Sequence, residues 1–420
     1  MINRYKFILL AAIFFSASQS QASIQDTLQL NLGEADSIFL KQNLLLIAAQ
    51  LNVEANKALI IQAKSYPNPQ ISIGLDAYDS DNKSAFFIGP EGEKSYQFDQ
   101  LILIGGKRRA QIDLAKKNAQ MAEQQFADLL RNLQFQLHQT FYELNRTYNV
   151  LPIYNKQLEL LDELITSHEV QAQKGNVPYK DVIRLKTAYL NLNNDRSDLL
   201  KQQLEQIKNL RTLLRSNQTF IPVSDDLEAG KYKQIVSVSD LIKKAWDNRP
   251  DVQLASSQAD YASINLRLQK RNAIPDLSLN TSYDQRGNAF PNQYLVGVGM
   301  PLPLWDRNRG NIKAAGFQSQ ATDSLFAQKK MEVEGEVISA IENLNRSVQE
   351  YNKSIELYTA DFEIVFKGES DNYRKGNISL LEFLDFVESY NQSIAEFERM
   401  KRDLFFAGEQ INYVTASKLY

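Results

Sequence analysis

The residue types that carry most enzymatic chemistry are scarce in this chain and poorly placed for it. None of its 420 residues is a cysteine, which excludes thiol nucleophiles, disulfides and Cys-ligated metals. The two histidines, His138 and His168, lie in helical, Gln/Glu-rich stretches, where the expectation is a solvated helix surface. Gly105 and Gly106 precede Lys107, Arg108 and Arg109, but the spacing of a phosphate-binding loop is missing. Carboxylate pairs on amphipathic helices are too common to imply acid–base catalysis. Lys+Arg 47 against Asp+Glu 50 gives a formal charge of −3, so there is no basic footprint for nucleic acid. The residues point to no enzyme, no cofactor and no metal site, and the surrounding elements must carry the function.

The N-terminus reads as a secretory signal peptide over residues 1–22. Arg4 and Lys6 precede the apolar run Phe7–Phe15, and Ser20-Gln21-Ala22 supplies the cleavage site. The run is too short to span a bilayer as a helix. Ser23 stands where a lipoprotein needs cysteine, so the expected mature chain is exported without a lipid anchor. No other stretch is expected to form a transmembrane helix, since the longest apolar segments, such as Leu44–Ala49, fall far short of ~20 residues. Entry into a membrane is therefore expected through β-strands closed into a barrel.

An internal repeat sets the architecture. Lys174-Gly175-Asn176-Val177 returns as Lys375-Gly376-Asn377-Ile378, and at the same offset Leu101-Ile-Leu103 returns as Leu302-Pro-Leu304. Pro69-Gln-Ile-Ser-Ile73 returns as Pro275-Asp-Leu-Ser-Leu279 at a slightly longer offset, which places a length difference in the loop between these anchors. The expected organisation is repeat 1 over 23–220, a linker over 221–237 and repeat 2 over 238–420. Each repeat begins with a helix (31–64 and 238–272) that a proline ends, then two strands (70–79 and 95–104; 276–285 and 292–304). Ile71, Ile73, Leu75 and Ala77 alternate with Ser72, Gly74 and Asp76, a pattern shared by a membrane barrel and by a half-buried soluble hairpin.

A very long helix follows in each repeat, Arg108 to Lys174 and Arg309 to Lys375, each roughly 100 Å at ~1.5 Å per residue. In the second, Ile341, Leu344, Val348, Tyr351, Ile355, Tyr358, Phe362 and Val365 form a heptad seam. Pro152 should kink the first. Glycine tips (174–179 and 375–380) lead into return helices. Four strands per chain are too few for a barrel, since about eight is the minimum, so the chain must oligomerise.

This order of elements resembles the TolC-like outer-membrane efflux factors over essentially the whole mature chain. The junctions Gln100-Leu-Ile-Leu-Ile-Gly-Gly-Lys-Arg-Arg109 and Pro301-Leu-Pro-Leu-Trp-Asp-Arg-Asn-Arg-Gly310 are similar to the family's, the second to its CzcC-like heavy-metal branch. The resemblance implies a mostly α fold with a small membrane β part: a homotrimer forming a twelve-stranded barrel in outer-membrane lipid, continued by a helical periplasmic tunnel. It implies an exit duct for small toxic solutes, including metal cations, and no enzymatic activity. The partners would be a periplasmic adaptor and an inner-membrane pump of the resistance-nodulation-division type. Matched by distance from the tip glycines, Asp181 and Tyr373 fall at gate-latch positions, and Glu382 and Asp385 at acidic-ring positions. Ile378 stands where the family can carry a basic latch residue. Lys174, Gly175, Asn176, Lys375, Gly376 and Asn377 would dock the adaptor. Gly105, Gly106, Arg307 and Gly310 would form the barrel–helix junctions, with Lys107, Arg108 and Arg109 facing lipid head groups or solvent. The rival expectation is an exported coiled-coil adaptor or scaffold without a barrel.

Overall fold

The structure, a computed structural model, describes residues 27–80, 83–86, 88–89, 92–223, 232, 237–287, 290–357 and 362–420. The signal-peptide reading, most of the linker and Tyr358 lie outside the described residues. In chain order the elements are β1 (Thr27–Leu30), α1 (Leu32–Gln42), α2 (Leu44–Lys64), β2 (Gln70–Leu75), β3 (Tyr78–Asp79), β4 (Ser84–Ala85), β5 (Glu93–Ile102), α3 (Lys107–Gln173) and α4 (Tyr179–Leu214). After β6 (Thr219–Pro222) come α5 (Val238–Asn248), α6 (Pro250–Asn272), β7 (Leu277–Arg286), β8 (Phe290–Gly299), α7 (Arg309–Leu357), α8 (Phe362–Arg374) and α9 (Leu380–Thr415).

Several expectations need correction. Each repeat opens with two helices instead of one. Asn43 (ψ 120°) separates α1 from α2, and Arg249 (ψ 123°) separates α5 from α6. Pro250 explains the second break, because its ring disfavours helical ψ at the residue before it. The second long helix is described as α7 and α8, with 358–361 between them outside the described residues. Pro152 lies inside α3 and does not end that 67-residue helix. β8 stops at Gly299, because Pro301 and Pro303 have no N–H to give to a ladder. The buried row of α7 is Val333, Val337, Ala340, Leu344, Ser347, Tyr351 and Ser354. It shares only Leu344 and Tyr351 with the expected seam, and Ile355 and Val365 are 46% exposed. Small serines let the helix pack closely on one side and leave its larger apolar residues outside.

The composition limit on spanning helices also moves. By length and composition α2, 21 residues long, is apolar enough to cross a membrane, although no unbroken apolar run reveals it. Lys57 on this helix bridges Glu54 (3.2 Å) and Glu123 (3.1 Å).

The chain divides into two compact units, each drawing on both halves of the sequence. The first takes residues up to Asn43, Gln136–Ala229 and Glu350–Phe406. It holds the parallel β1–β6 pair and both helical tips. Its core is aliphatic on α4, where Leu185, Leu192 and Leu199 recur every heptad, and aromatic on α8 and α9, with Phe366, Phe383 and Tyr390.

The second unit takes Leu44–Phe135, Gly230–Gln349 and Ala407–Tyr420. Its antiparallel sheet has the order β2-β5-β7-β8. Register puts Ile73, Tyr96, Tyr283 and Tyr294 in one cross-strand row and Ile71, Phe98, Thr281 and Val296 in the next. The tyrosine rings follow one another at 6.0 and 5.1 Å between centroids. The opposite face carries Ser72, Gly74, Gln97, Asp99, Asn280, Ser282 and Gly297. One face is mostly apolar with an aromatic row and the other mostly small and polar, apart from Leu101 and Leu295, a division that resembles a barrel wall between lipid and lumen.

Arg249, 2% exposed, anchors the helical part of this unit. Its guanidinium donates to both Asp251 oxygens (3.0 and 2.7 Å) and to the Val414 carbonyl (3.3 Å), and it also pairs with Glu336. Lys329 lies 3.2 Å from Asp251, and Arg131 3.6 Å from it. Burial alone would raise the Asp251 carboxyl, but Arg249, Arg131 and Lys329 outweigh it and hold the group well below the usual carboxylate range. A depressed folded-state pKa contributes stability above the unfolded carboxylate range, and that stability is lost in strong acid. We expect Asp251→Asn to cost about 3 kcal/mol at neutral pH, because it removes the charge of the more buried of the two carboxylates paired with a buried arginine. Thermal melts of variant and wild type should draw together below about pH 4.

Candidate functional site: helical tips and strand–helix junctions

Both tips close in the same way. Gly175 N–H donates to the Ala172 carbonyl (3.0 Å) and Asn176 N–H to that of Gln171 (3.0 Å). Gly376 repeats this to Tyr373 (2.9 Å) and Asn377 to Asn372 (2.9 Å). Such a closure needs a left-handed residue, and both glycines stand at φ +77°. Lys174, Gly175, Asn176, Lys375, Gly376 and Asn377 are all exposed.

Beyond the second tip, Ser379 caps α9. Its N–H and hydroxyl each donate to Glu382 Oε2 (2.8 Å), and Glu382 N–H donates to Ser379 Oγ (3.3 Å). This reciprocal cap is legible as Ser-x-x-Glu in the sequence, and it gives Glu382 a structural role. The same bonds hold its carboxyl below the usual carboxylate range. Asp385, one turn on, is exposed.

Tyr373 is half-buried, its ring lying 4.6 Å from that of Phe383 at 8°. Its hydroxyl lies 2.8 Å from His168 Nε2. Asp181, the residue matched with it as a latch, pairs with Arg184 on its own helix at 3.3 Å. Burial, with the Asp181 carboxylate adding to it, pushes the Tyr373 phenol up to about 12. The expectation of solvated histidines therefore fails at both positions. His138 is buried with Nε2 3.0 Å from Asp36 Oδ1, and His168 is half-buried. The missed signal was spacing: Tyr154, Leu161 and His168 fall one heptad apart, and the first two are core residues.

At the first junction Gly105 (φ +66°) and Gly106 (φ +74°) turn the chain from β5 into α3. A Cβ on Gly105 would come within 2.8 Å of Ile274. Lys107 faces neither lipid nor solvent. It is buried, with Nζ 2.8 Å from Asp276 Oδ2, and Asp276 Oδ1 accepts the Ile104 N–H (3.1 Å). The Arg108 guanidinium lies over the Tyr66 ring at 4.0 Å. At the second junction the left-handed residue is Asn308 (φ +56°), whose amide donates to the Gln269 carbonyl (2.7 Å). Gly310 instead lies in the first turn of α7, and Arg307 Nε donates to the Pro303 carbonyl (3.1 Å). Trp305, 93% exposed, follows the exposed Leu302 and Leu304 at this junction.

A four-stranded sheet with one largely apolar face, and very long helices closed by glycine tips, are features shared with outer-membrane channel proteins. The chain belongs to the outer membrane efflux protein family, whose model matches residues 37–215 and 241–404. It is similar to the cobalt-zinc-cadmium resistance protein CzcC of Cupriavidus metallidurans, 19% identical over 358 residues that cover 85% of this chain and 82% of the relative. The nickel-cobalt-cadmium resistance protein NccC of Alcaligenes xylosoxydans xylosoxydans is 20% identical over 317 residues, 73% of this chain and 69% of the relative. Among solved structures, a CusC chain shares the fold at TM-score 0.76 and 16% identity, covering 96% of each chain. The Campylobacter jejuni CmeC outer membrane channel does so at TM-score 0.73 and 15% identity, covering 91% of this chain and 85% of that one.

The tip glycines generate a direct test. A Cβ at Gly376 would meet nothing within 4 Å, so the penalty of substitution is purely conformational. Gly376→Ala should cost about 1–2 kcal/mol, and Gly376→Asn distinctly less, because Asn tolerates left-handed φ. Thermal unfolding of the two variants checks the order.

Proposed function

We propose that three copies of this chain form the exit duct of a tripartite efflux system that passes divalent heavy-metal cations from an inner-membrane pump and a periplasmic adaptor to the exterior. The observation that carries the oligomer is the open sheet: β2 and β8 are its terminal strands, and hydrocarbon leaves no unpaired edge. Three copies supply about twelve strands, enough to close a barrel. Apolar residues left exposed on one chain support the same reading, with Leu44, Leu51 and Ile61 on α2 and Phe317, Leu325 and Met331 on α7. These faces suit packing against neighbouring copies, while the apolar sheet face with Val296 and Val298 suits outer-membrane lipid. The adaptor docks at the two glycine tips, and the pump is of the resistance-nodulation-division type. The metal cargo rests on the names of the CzcC and NccC relatives. The rival reading, an adaptor without a barrel, is not favoured by the family match.

Near the second tip, Glu382 and Asp385 become rings of carboxylates under threefold symmetry, and Tyr373 and Asp181 lie at the constriction. Full-length protein should fractionate with the outer membrane and migrate as a trimer in mild detergent; a soluble periplasmic monomer would refute the duct.

Glu382→Gln keeps the helix cap, since glutamine also serves there. Combined with Asp385→Asn, it should lower cation-over-anion selectivity in planar bilayers and relieve block by a trivalent cation, most visibly at low salt. Unchanged selectivity would mean that these carboxylates face away from the pore.

A further inference from the structure

Tyr373 at the second tip reaches across to the first long helix, and what it meets there is a histidine. His168 Nδ1 lies 2.9 Å from the Leu164 carbonyl, four residues earlier on α3. A carbonyl can only accept, so Nδ1 carries a proton, and in the neutral ring Nε2 then presents a lone pair. The Tyr373 hydroxyl, 2.8 Å away, is placed to donate into it. The two ring planes are parallel to 9° with centroids 6.1 Å apart, too far for a face-to-face stack and suited to a hydroxyl aimed along the plane of the imidazole. Phe383 on α9 covers the other side of the tyrosine and fixes its position.

Two further side-chain contacts join α3 to α8. Lys156 meets Glu363 at 3.3 Å, and Glu163 meets Arg374 at 3.4 Å. All four of these side chains are more than half exposed, so screening leaves such pairs worth little. The His168–Tyr373 bond is half-buried, with the tyrosine ring clamped by Phe383. On magnitude it is the polar contact that counts between α3 and α8 near the tip, while farther along α3 Glu143 and Asn149 meet Arg402 (2.6 Å) and Glu398 (2.9 Å) of α9.

We propose that His168 is the latch partner of Tyr373: the hydroxyl-to-Nε2 bond holds the α8–α9 hairpin against α3 and sets the resting closure of the duct. This rests on reading the tips as the constriction. His168 acts as a positioning residue, touching no cargo. Asp181 acts on the phenol only through its charge.

The test uses the full-length protein in planar bilayers, comparing His168→Leu, His168→Gln, Tyr373→Phe and the double variant His168→Leu/Tyr373→Phe. Loss of one net hydrogen bond should raise the time-averaged conductance about 2- to 10-fold in each of His168→Leu and Tyr373→Phe. The double variant should add little to either single change, because both remove the same bond. His168→Gln, which keeps an acceptor at similar reach, should return conductance toward wild type. Rescue of this kind is not expected from a residue that merely fills space. If His168→Leu lowers the trimer yield, His168→Phe keeps a planar ring in the site without the acceptor and serves in its place.

A Tyr373→Phe channel that opens while His168→Leu stays closed would overturn the proposal, as would effects that multiply in the double variant. If wild type already conducts as much as Tyr373→Phe, and the Glu382 and Asp385 substitutions are also silent, the tip constriction itself fails.

Discussion

A backbone polar group in hydrocarbon has no water to fall back on, and each one left unpaired costs several kcal/mol. The four-stranded sheet presents an apolar face with Ile71, Ile73, Val296 and Val298 exposed, yet within one chain it ends at β2 and β8. In the proposed trimer, pairing those edges with other copies answers the constraint. α3 and α7 each follow the sheet through a tight junction. A buried lysine–aspartate pair and two left-handed glycines make the first turn, and left-handed Asn308 makes the second.

Stability inside the chain is divided between two kinds of interaction. The helical tips are held by leucine heptads on one side and stacked aromatic rings on the other. The second unit instead buries Arg249 among Asp251, Glu336 and a backbone carbonyl at the break between α5 and α6. A buried ion cluster of this kind is costly to break and adds little over a well-packed apolar core, so its contribution is geometric. It ties that helix break to α7 and to the C-terminal end of α9.

Several side chains combine structural and functional possibilities, and magnitude separates the two. The Glu382 carboxylate completes a helix cap, which requires an acceptor but no net charge. The charge itself is left over for any field at the tip. Tyr373 packs as an aromatic core residue on Phe383, and only its hydroxyl is available for contact with the opposite hairpin. The ring and the hydroxyl can therefore be separated by substitution.

The repeat Lys-Gly-Asn, the proline-ended helices and the alternation Ile71, Ile73, Leu75 made the order of elements legible, because local signals set turns, helix ends and strand faces. Ser379-x-x-Glu382 has the residue pattern of a cap, whereas the expectation placed Glu382 only in an acidic ring. Three kinds of feature were decided only in three dimensions. Lys107 carries a charge that composition assigns to the surface, yet a single carboxylate from a distant loop, Asp276, is enough to bury it. Ile355 and Val365 fit a heptad by spacing, but which stripe of a long helix is buried depends on the helices that surround it. His168 and Tyr373 are more than two hundred positions apart, and nothing local to either residue specifies a bond that exists only where α3 and α8 pack side by side.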